Sequence, residues 1–108
     1  MTVNDLIKSE AFSEVVLCEP DREIEGVYIG DLLSWVMGRA KSGDAWITIM
    51  SNINTIAVAT LADTACIVLA EGVTLDDGVK ETAKAKGINV VSTSLSAYAA
   101  ALKLSTLL

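Results

Sequence analysis

Residues 65–70 read Ala65-Cys66-Ile67-Val68-Leu69-Ala70, an uninterrupted apolar run that ends at Glu71-Gly72. A run without polar alternation is typical of a strand that is covered on both faces, as in a parallel sheet. The next segment has helical polarity, because acidic residues stand at its start and lysines precede Gly87. A second apolar run covers residues 88–91. Residues 63–93 therefore predict a β-α-β unit, with 65–70 at the centre of the sheet.

The alternation of strands and helices continues on both sides of this unit. Apolar segments at 15–18, 24–29 and 45–50 predict further strands. Helical spacing of apolar residues predicts helices over 3–9, 32–40, 54–62 and 97–104. This order predicts a single α/β domain over residues 1–108, with a mostly parallel central sheet and helices on both faces.

Polar residues at the predicted helix starts have the pattern of N-caps. Thr2 with Asp5 and Thr74 with Asp77 resemble capping boxes, and Asp31 and Asn54 are single candidates. Inside the helix before Gly87, the glycine at position 78 either marks close packing or is a tolerated defect.

Composition limits the function more than it defines it. The formal net charge is -6 and the pI is about 4.4, which argues against nucleic acid and anionic membranes as partners. No apolar run approaches the roughly 20 residues of a membrane span, and the N-terminus does not read as a signal peptide. We expect a cytoplasmic protein in which Cys18 and Cys66 are reduced, buried core residues.

Catalysis has little support in the residues present. The sequence contains no histidine, which excludes an imidazole base and a Ser-His arrangement, and its glycines form neither GxGxxG nor a P-loop. The cysteines have no neighbouring ligands, so we expect no metal site and no cofactor. One catalytic alternative is an acid/base pair of Asp44 and Glu71, which requires both carboxylates in one cleft.

Three loops follow predicted strands and lead into helices: residues 51–55, 71–74 and 92–94. Ligands of parallel α/β sheets bind beyond the carboxyl ends of the strands, where helix N-termini offer free amides. The alternative is that the hydroxyl and amide side chains of these loops only cap the helices.

The order of these features resembles the DRTGG domain family, a module related to the N-terminal domain of HPr kinase. The matching pieces, from about Gly26 onward, are Gly30-Asp31-Leu32-Leu33 before a helix, Gly43-Asp44 before a strand, residues 54–69 as helix and strand, Leu69-Ala70-Glu71-Gly72, and residues 93–102. The resemblance implies an HPr kinase N-terminal-domain-like fold and a regulatory or ligand-sensing role.

Two motifs depart from the family pattern. Where the family usually has Gly-Asp-Arg, the sequence reads Gly43-Asp44-Ala45, and where it usually has Thr-Gly-Gly, the sequence reads Ala70-Glu71-Gly72. Only Gly43, Asp44 and Gly72 carry over within these motifs. The missing arginine and the added carboxylate weaken the case for an anion site.

These observations lead to two hypotheses. The first is a non-catalytic regulatory module that binds a small ligand through Asp44, Asn54, Gly72 and Thr93. The second is a protein-interaction domain, in which the alanine-rich C-terminal helix and Leu107-Leu108 form a homodimer or dock a protein partner.

Overall fold

The computed structural model describes residues 1–108 and contains five strands and five helices. The strands are β1 (Ser13–Val16), β2 (Gly26–Ile29), β3 (Asp44–Thr48), β4 (Cys66–Leu69) and β5 (Val90–Ser92). The helices are α1 (Val3–Ile7), α2 (Leu33–Arg39), α3 (Ile53–Ala62), α4 (Asp77–Lys86) and α5 (Ala97–Leu107).

The strands form one sheet in the order β1-β5-β4-β3-β2. Strands β2, β3, β4 and β5 pair in parallel, and β1 pairs antiparallel with β5 at one edge. The predicted mostly parallel sheet is confirmed, and β4 is its central strand. Every residue of β3 and β4 is buried, as expected for strands covered on both faces.

Helices cover both faces of the sheet. Since side chains alternate along each strand, successive residues pack against opposite helix layers. Cys66 and Val68 point into an apolar cluster that includes residues of α1 and α5, such as Leu6 and Leu104. Ile67 and Leu69 point into a second cluster with residues of α2, α3 and α4. The second cluster also holds the fully buried Trp46, whose indole N–H donates to the Gly30 carbonyl at 2.8 Å.

The cysteines differ in their environment. Cys66 is fully buried in β4, and burial raises the pKa of its thiol to about 12. Cys18 is exposed, so its predicted burial is wrong. The reason is that β1 spans Ser13–Val16 rather than 15–18, which leaves Cys18 beyond the strand.

Two helix caps differ from the prediction, whereas the capping box of Thr2 and Asp5 is confirmed. Asn52, not Asn54, caps α3, and its side-chain oxygen accepts from Asn54 N–H at 2.9 Å and Thr55 N–H at 3.3 Å. Asp31 caps no helix. Its carboxylate instead accepts from the Thr48 hydroxyl at 2.7 Å and from Ile49 N–H at 3.0 Å, beyond β3.

The start of α4 also differs. Asp76 occupies the N-cap position and makes no side-chain cap bond, so the predicted box of Thr74 and Asp77 does not form. Gly78 is exposed and has no neighbour near the place a Cβ would take, which identifies it as a tolerated defect. At the other end Gly87 has a φ of 71° and ends the helix as predicted.

Asn89 joins the antiparallel edge of the sheet to its parallel centre. Its side-chain oxygen accepts from Cys18 N–H at 2.9 Å and Glu19 N–H at 2.8 Å. Its amide group donates to the carbonyls of Glu19 at 2.8 Å and Ala65 at 3.1 Å. The side chain is buried and uses its full hydrogen-bonding capacity, which fixes the path of the chain after β1.

The Asn89→Ala substitution is expected to lower the free energy of unfolding by about 2–4 kcal/mol, because the buried bond to the Ala65 carbonyl and three part-buried backbone bonds are lost. Urea denaturation measures this change. A matched control is Asn54→Ala at an exposed position, for which we expect less than about 0.5 kcal/mol. Equal losses in the two variants would contradict the role of Asn89.

The position of the α3 cap can be tested by comparing substitutions at Asn52 and Asn54. Asn52→Ala removes the oxygen that accepts the first amides of α3, so we expect a loss of about 1 kcal/mol in the same unfolding measurement. A larger loss for Asn54→Ala than for Asn52→Ala would show that the cap is at position 54.

Candidate functional site

The loops after β4 and β5 meet at the carboxyl edge of the sheet and are hydrogen-bonded to each other. Glu71 N–H donates to the Leu95 carbonyl at 2.8 Å, and Gly72 N–H donates to the Thr93 carbonyl at 2.9 Å. Two of the predicted site residues, Gly72 and Thr93, are thus directly joined. Because both loops are anchored to adjacent parallel strands, they form one rigid wall.

A tight turn shapes this wall. Glu71 has a φ of 60° and Gly72 a φ of 72°, and Val73 N–H closes the turn on the Ala70 carbonyl at 3.2 Å. Positive φ at both central residues is the pattern of a type I′ turn, which favours glycine and asparagine. A non-glycine residue in the left-handed region costs about 1 kcal/mol, so Glu71 stores strain at the carboxyl edge of the sheet.

The cavity at this edge has a volume of about 250 Å³. Five of its nine lining residues carry hydroxyl groups, and Glu10 is the single charged one; the lining is Glu10, Ala11, Ser13, Gly72, Val73, Thr74, Ser92, Thr93 and Ser94. No lysine or arginine lines it. The cavity therefore offers hydrogen bonds rather than positive charge.

The hydroxyl groups of this cavity do not serve as helix caps. Ser96 caps α5, with its oxygen accepting from Ala99 N–H at 3.1 Å, and α4 has no side-chain cap bond. Thr93 is buried, and its oxygen accepts from Leu95 N–H at 3.1 Å, which leaves its O–H free to donate. The capping alternative holds for the loop after β3, where Asn52 caps α3, but not for the other two loops.

The remaining two predicted site residues lie elsewhere. Asn54 is exposed in the first turn of α3 and does not line the cavity. Asp44 begins β3, so it lies at the amino edge of the sheet, where its carboxylate accepts from Lys41 N–H at 2.8 Å. It also fills the space beside Gly26, where an added Cβ would come within 2.7 Å of its oxygen. The structure gives Asp44 a local structural role.

The position of Asp44 also removes the acid/base alternative. Glu71 follows the carboxyl end of β4, whereas Asp44 is the first residue of β3, and the length of a strand, roughly 13 Å, separates these two edges of the sheet. The two carboxylates cannot face one cleft. The sequence contained the relevant signal, since Gly43-Asp44 stands before a strand and not after one.

A second cavity, of about 130 Å³, lies at the amino edge and includes Arg22 and Asp63 in its lining. The Arg22 guanidinium donates to the Asp63 carboxylate at 3.1 Å and to its carbonyl at 2.9 Å. Hydrogen bonds from Arg22 and the Ser42 hydroxyl lower the pKa of Asp63 below its usual range. Arg22 and Asp63 already pair with each other, which makes these two side chains less available to a ligand.

Together, the parallel sheet with one antiparallel edge, the helices on both faces and the cavity at the carboxyl edge define an α/β domain built around two joined loops. The model of the DRTGG domain family matches residues 9–107. The chain belongs to the DRTGG domain family, which confirms the resemblance seen in the sequence.

A solved structure has the same fold. It is the crystal structure of the CBS and DRTGG domains of the regulatory region of Clostridium perfringens pyrophosphatase, complexed with the activator diadenosine tetraphosphate. The TM-score is 0.71 at 15% identity, over 92% of this chain and 44% of that chain. This chain thus spans less than half of the matched structure.

No protein with a curated description matches the sequence. None of the helices is both long and apolar enough to cross a bilayer.

One departure from the family motif lies in this turn. Glu71 occupies the first glycine position of the usual Thr-Gly-Gly, and its φ is positive. Glu71→Gly relieves strain at this position, so we expect unfolding free energy to be unchanged or to rise by up to about 1 kcal/mol.

The control for this prediction is the same substitution in a helix. Glu81→Gly in α4 is expected to cost about 1 kcal/mol, because glycine loses more conformational entropy there. Thermal or urea unfolding of both variants measures the change in unfolding free energy, which should be zero or positive for Glu71→Gly and negative for Glu81→Gly. Equal losses at the two positions would argue against strain at Glu71.

Proposed function

We propose that this protein is a non-catalytic regulatory module that senses a small ligand in the cavity at the carboxyl edge. The observation that carries this proposal is the hydroxyl-rich cavity between two loops that are hydrogen-bonded to each other. A ligand that contacts residues 72–74 and 92–94 would touch the ends of two central strands at once. Its binding would therefore be transmitted to the core of the sheet.

The lining points to the chemistry of the ligand. Hydroxyl groups and one carboxylate recognise uncharged groups that donate and accept hydrogen bonds, such as the hydroxyls of a ribose. A polyphosphate would gain nothing from a cavity without a basic residue in a protein of net charge -6. We infer that the nucleoside part of a ligand enters the cavity and any phosphate remains in solvent.

Size agrees with this assignment. A volume of about 250 Å³ is smaller than the roughly 300–1,000 Å³ of pockets that enclose drug-sized molecules. It suits a sugar or a single ring rather than a dinucleotide. The regulatory region of the Clostridium perfringens pyrophosphatase, complexed with a nucleotide activator, supports nucleotides as the first ligands to try.

The two cysteines of the protein are both unpaired, which fits a cytoplasmic location.

Binding is tested with adenosine, AMP, ATP and diadenosine tetraphosphate. A ligand at 100 times its dissociation constant should stabilise the protein by about 2.7 kcal/mol in a thermal-unfolding assay. We expect adenosine to stabilise at least as well as ATP, and NMR amide shifts to concentrate in residues 72–74 and 92–94. If none of the four compounds stabilises the protein or shifts these amides, the proposal fails.

Variants connect binding to the cavity. Thr74→Ala and Ser94→Ala each remove one exposed hydroxyl and should weaken binding several-fold, whereas Ser34→Ala on α2 removes a hydroxyl elsewhere and should leave it unchanged. A loss of affinity in Ser34→Ala alone would place the ligand on a different surface.

A second candidate function is homodimerisation through α5. Tyr98 and Leu102 of this helix are 73% and 49% exposed, and an open apolar groove of about 430 Å³ lies beside Leu95, Ala99 and Leu102. Exposed apolar surface of this kind is common at interaction sites. A Leu102→Glu variant should be monomeric if α5 forms the dimer.

A further inference from the structure

The two edges of the sheet differ in how they are protected. Edge strands avoid pairing with other chains through charged side chains, prolines or bulges. Strand β1 has two of these features, a charged Glu14 and an irregular register between Glu14 and Val16. Strand β2, which reads Gly26-Val27-Tyr28-Ile29, has no charge and no proline, and its pairing with β3 is regular.

Strand β2 also carries free backbone groups on its outer side. The Asp44 and Thr48 carbonyls face β4, where they accept from Ala65 N–H at 2.8 Å and Ala70 N–H at 3.1 Å. The Ile47 carbonyl faces β2 and accepts from Gly30 N–H at 3.2 Å. Backbone groups of successive residues in a parallel strand point to opposite sides.

This alternation identifies the free groups. The Gly30 amide points toward β3, and the register of the β2–β3 pair places the Tyr28 amide on the same side. Val27 and Ile29 therefore direct their N–H and C=O groups away from β3, to the open edge of the sheet.

Helix α2 presents an apolar flank on the same side. Val36 is fully buried, and on one side of it Leu33 and Ala40 pack against the core. On the other side Leu32, Trp35 and Arg39 are exposed. Because β-α-β crossovers are right-handed, this exposed flank faces away from α3, toward the β2 edge.

The composition of this flank suits an interface. The Arg39 guanidinium lies 3.8 Å from the centroid of the Trp35 ring, and tryptophan and arginine are enriched in the centres of protein interfaces. Leu32 and Trp35 are each more than half exposed. Exposed apolar side chains that lie together in this way indicate an interaction site more strongly than single ones do.

We propose that two copies of this chain associate through β2, in antiparallel pairing about a two-fold axis perpendicular to the sheet. Strands in such a pair are about 4.8 Å apart, and α2 lies over the gap between β2 and β3. The two α2 axes would then be about 10 Å apart, which is the distance of packed helices. A single two-fold contact would thus satisfy the free backbone groups and cover Leu32 and Trp35 of both copies.

A second copy fits this edge because a two-fold contact uses the same surface twice. The apolar part is well below the roughly 800 Å² per partner of a standard interface, and the edge strand and polar flank add to it. We therefore expect a dimer that dissociates in the micromolar range.

Sedimentation velocity of the full chain from about 1 to 500 µM measures the association. We expect the wild type to shift from monomer to dimer, Trp35→Glu to remain monomeric, and Leu61→Glu, at a 73% exposed site on α3, to behave as the wild type. Leu102→Glu distinguishes the α5 dimer, since it should leave association through β2 unchanged. A wild type that is monomeric throughout overturns the proposal, as does loss of the dimer in Leu102→Glu but not in Trp35→Glu.

Amide exchange by NMR tests the pairing itself and needs no variant. The amides of Val27 and Ile29 should exchange fast at low protein concentration and at least ten-fold more slowly at high concentration. The amides of Tyr28 and Gly30 serve as internal controls, because β3 protects them in both states. Concentration-independent exchange at Val27 and Ile29 in a dimeric sample would show that the copies meet through another surface.

Discussion

The structure depends on the burial of β4 from both sides. Its four residues alternate between two apolar clusters, so each face of the strand holds one layer of helices against the sheet. The backbone groups of β4 are satisfied by β3 and β5, and no side chain in the strand needs a polar partner. A polar residue at any of these positions would have to be buried without a partner, which costs several kcal/mol. The position of both loops at the candidate site follows from this strand and its neighbour.

The candidate site shows how a rigid scaffold supports an irregular turn. The hydrogen bonds from Glu71 and Gly72 to the opposite loop hold a backbone conformation that a glutamate rarely adopts. Strain of this kind persists where the surrounding structure over-determines it. In most members of the family a glycine pair would adopt the turn without cost. In this chain a glutamate adopts the turn, which places an additional carboxylate at the carboxyl edge of the sheet.

The central part of the fold could be predicted from the sequence, because the apolar run at 65–70 and the polarity of α4 have direct physical causes. The caps were less predictable. Asn52 and Asn54 are chemically identical candidates, and only the backbone geometry at the helix start decides between them. For the candidate site, the rule about carboxyl edges placed Gly72 and Thr93 at one edge of the sheet, where their loops are hydrogen-bonded to each other. The other contributors, Glu10 and Ser13, come from the N-terminal segment, whose approach depends on the antiparallel pairing of β1 with β5.

The two tryptophans occupy contrasting environments. Trp46 is sealed in the core with its indole N–H bonded to a carbonyl, whereas Trp35 is half exposed on the outer flank of α2. An indole in a dry environment emits at shorter wavelength than one in water, so the fluorescence of this protein has two separable components. The blue component reports on the integrity of the sheet, and the red component on solvent access at the outer edge. The two tryptophans therefore serve as separate optical probes, Trp46 for the sheet and Trp35 for its outer edge.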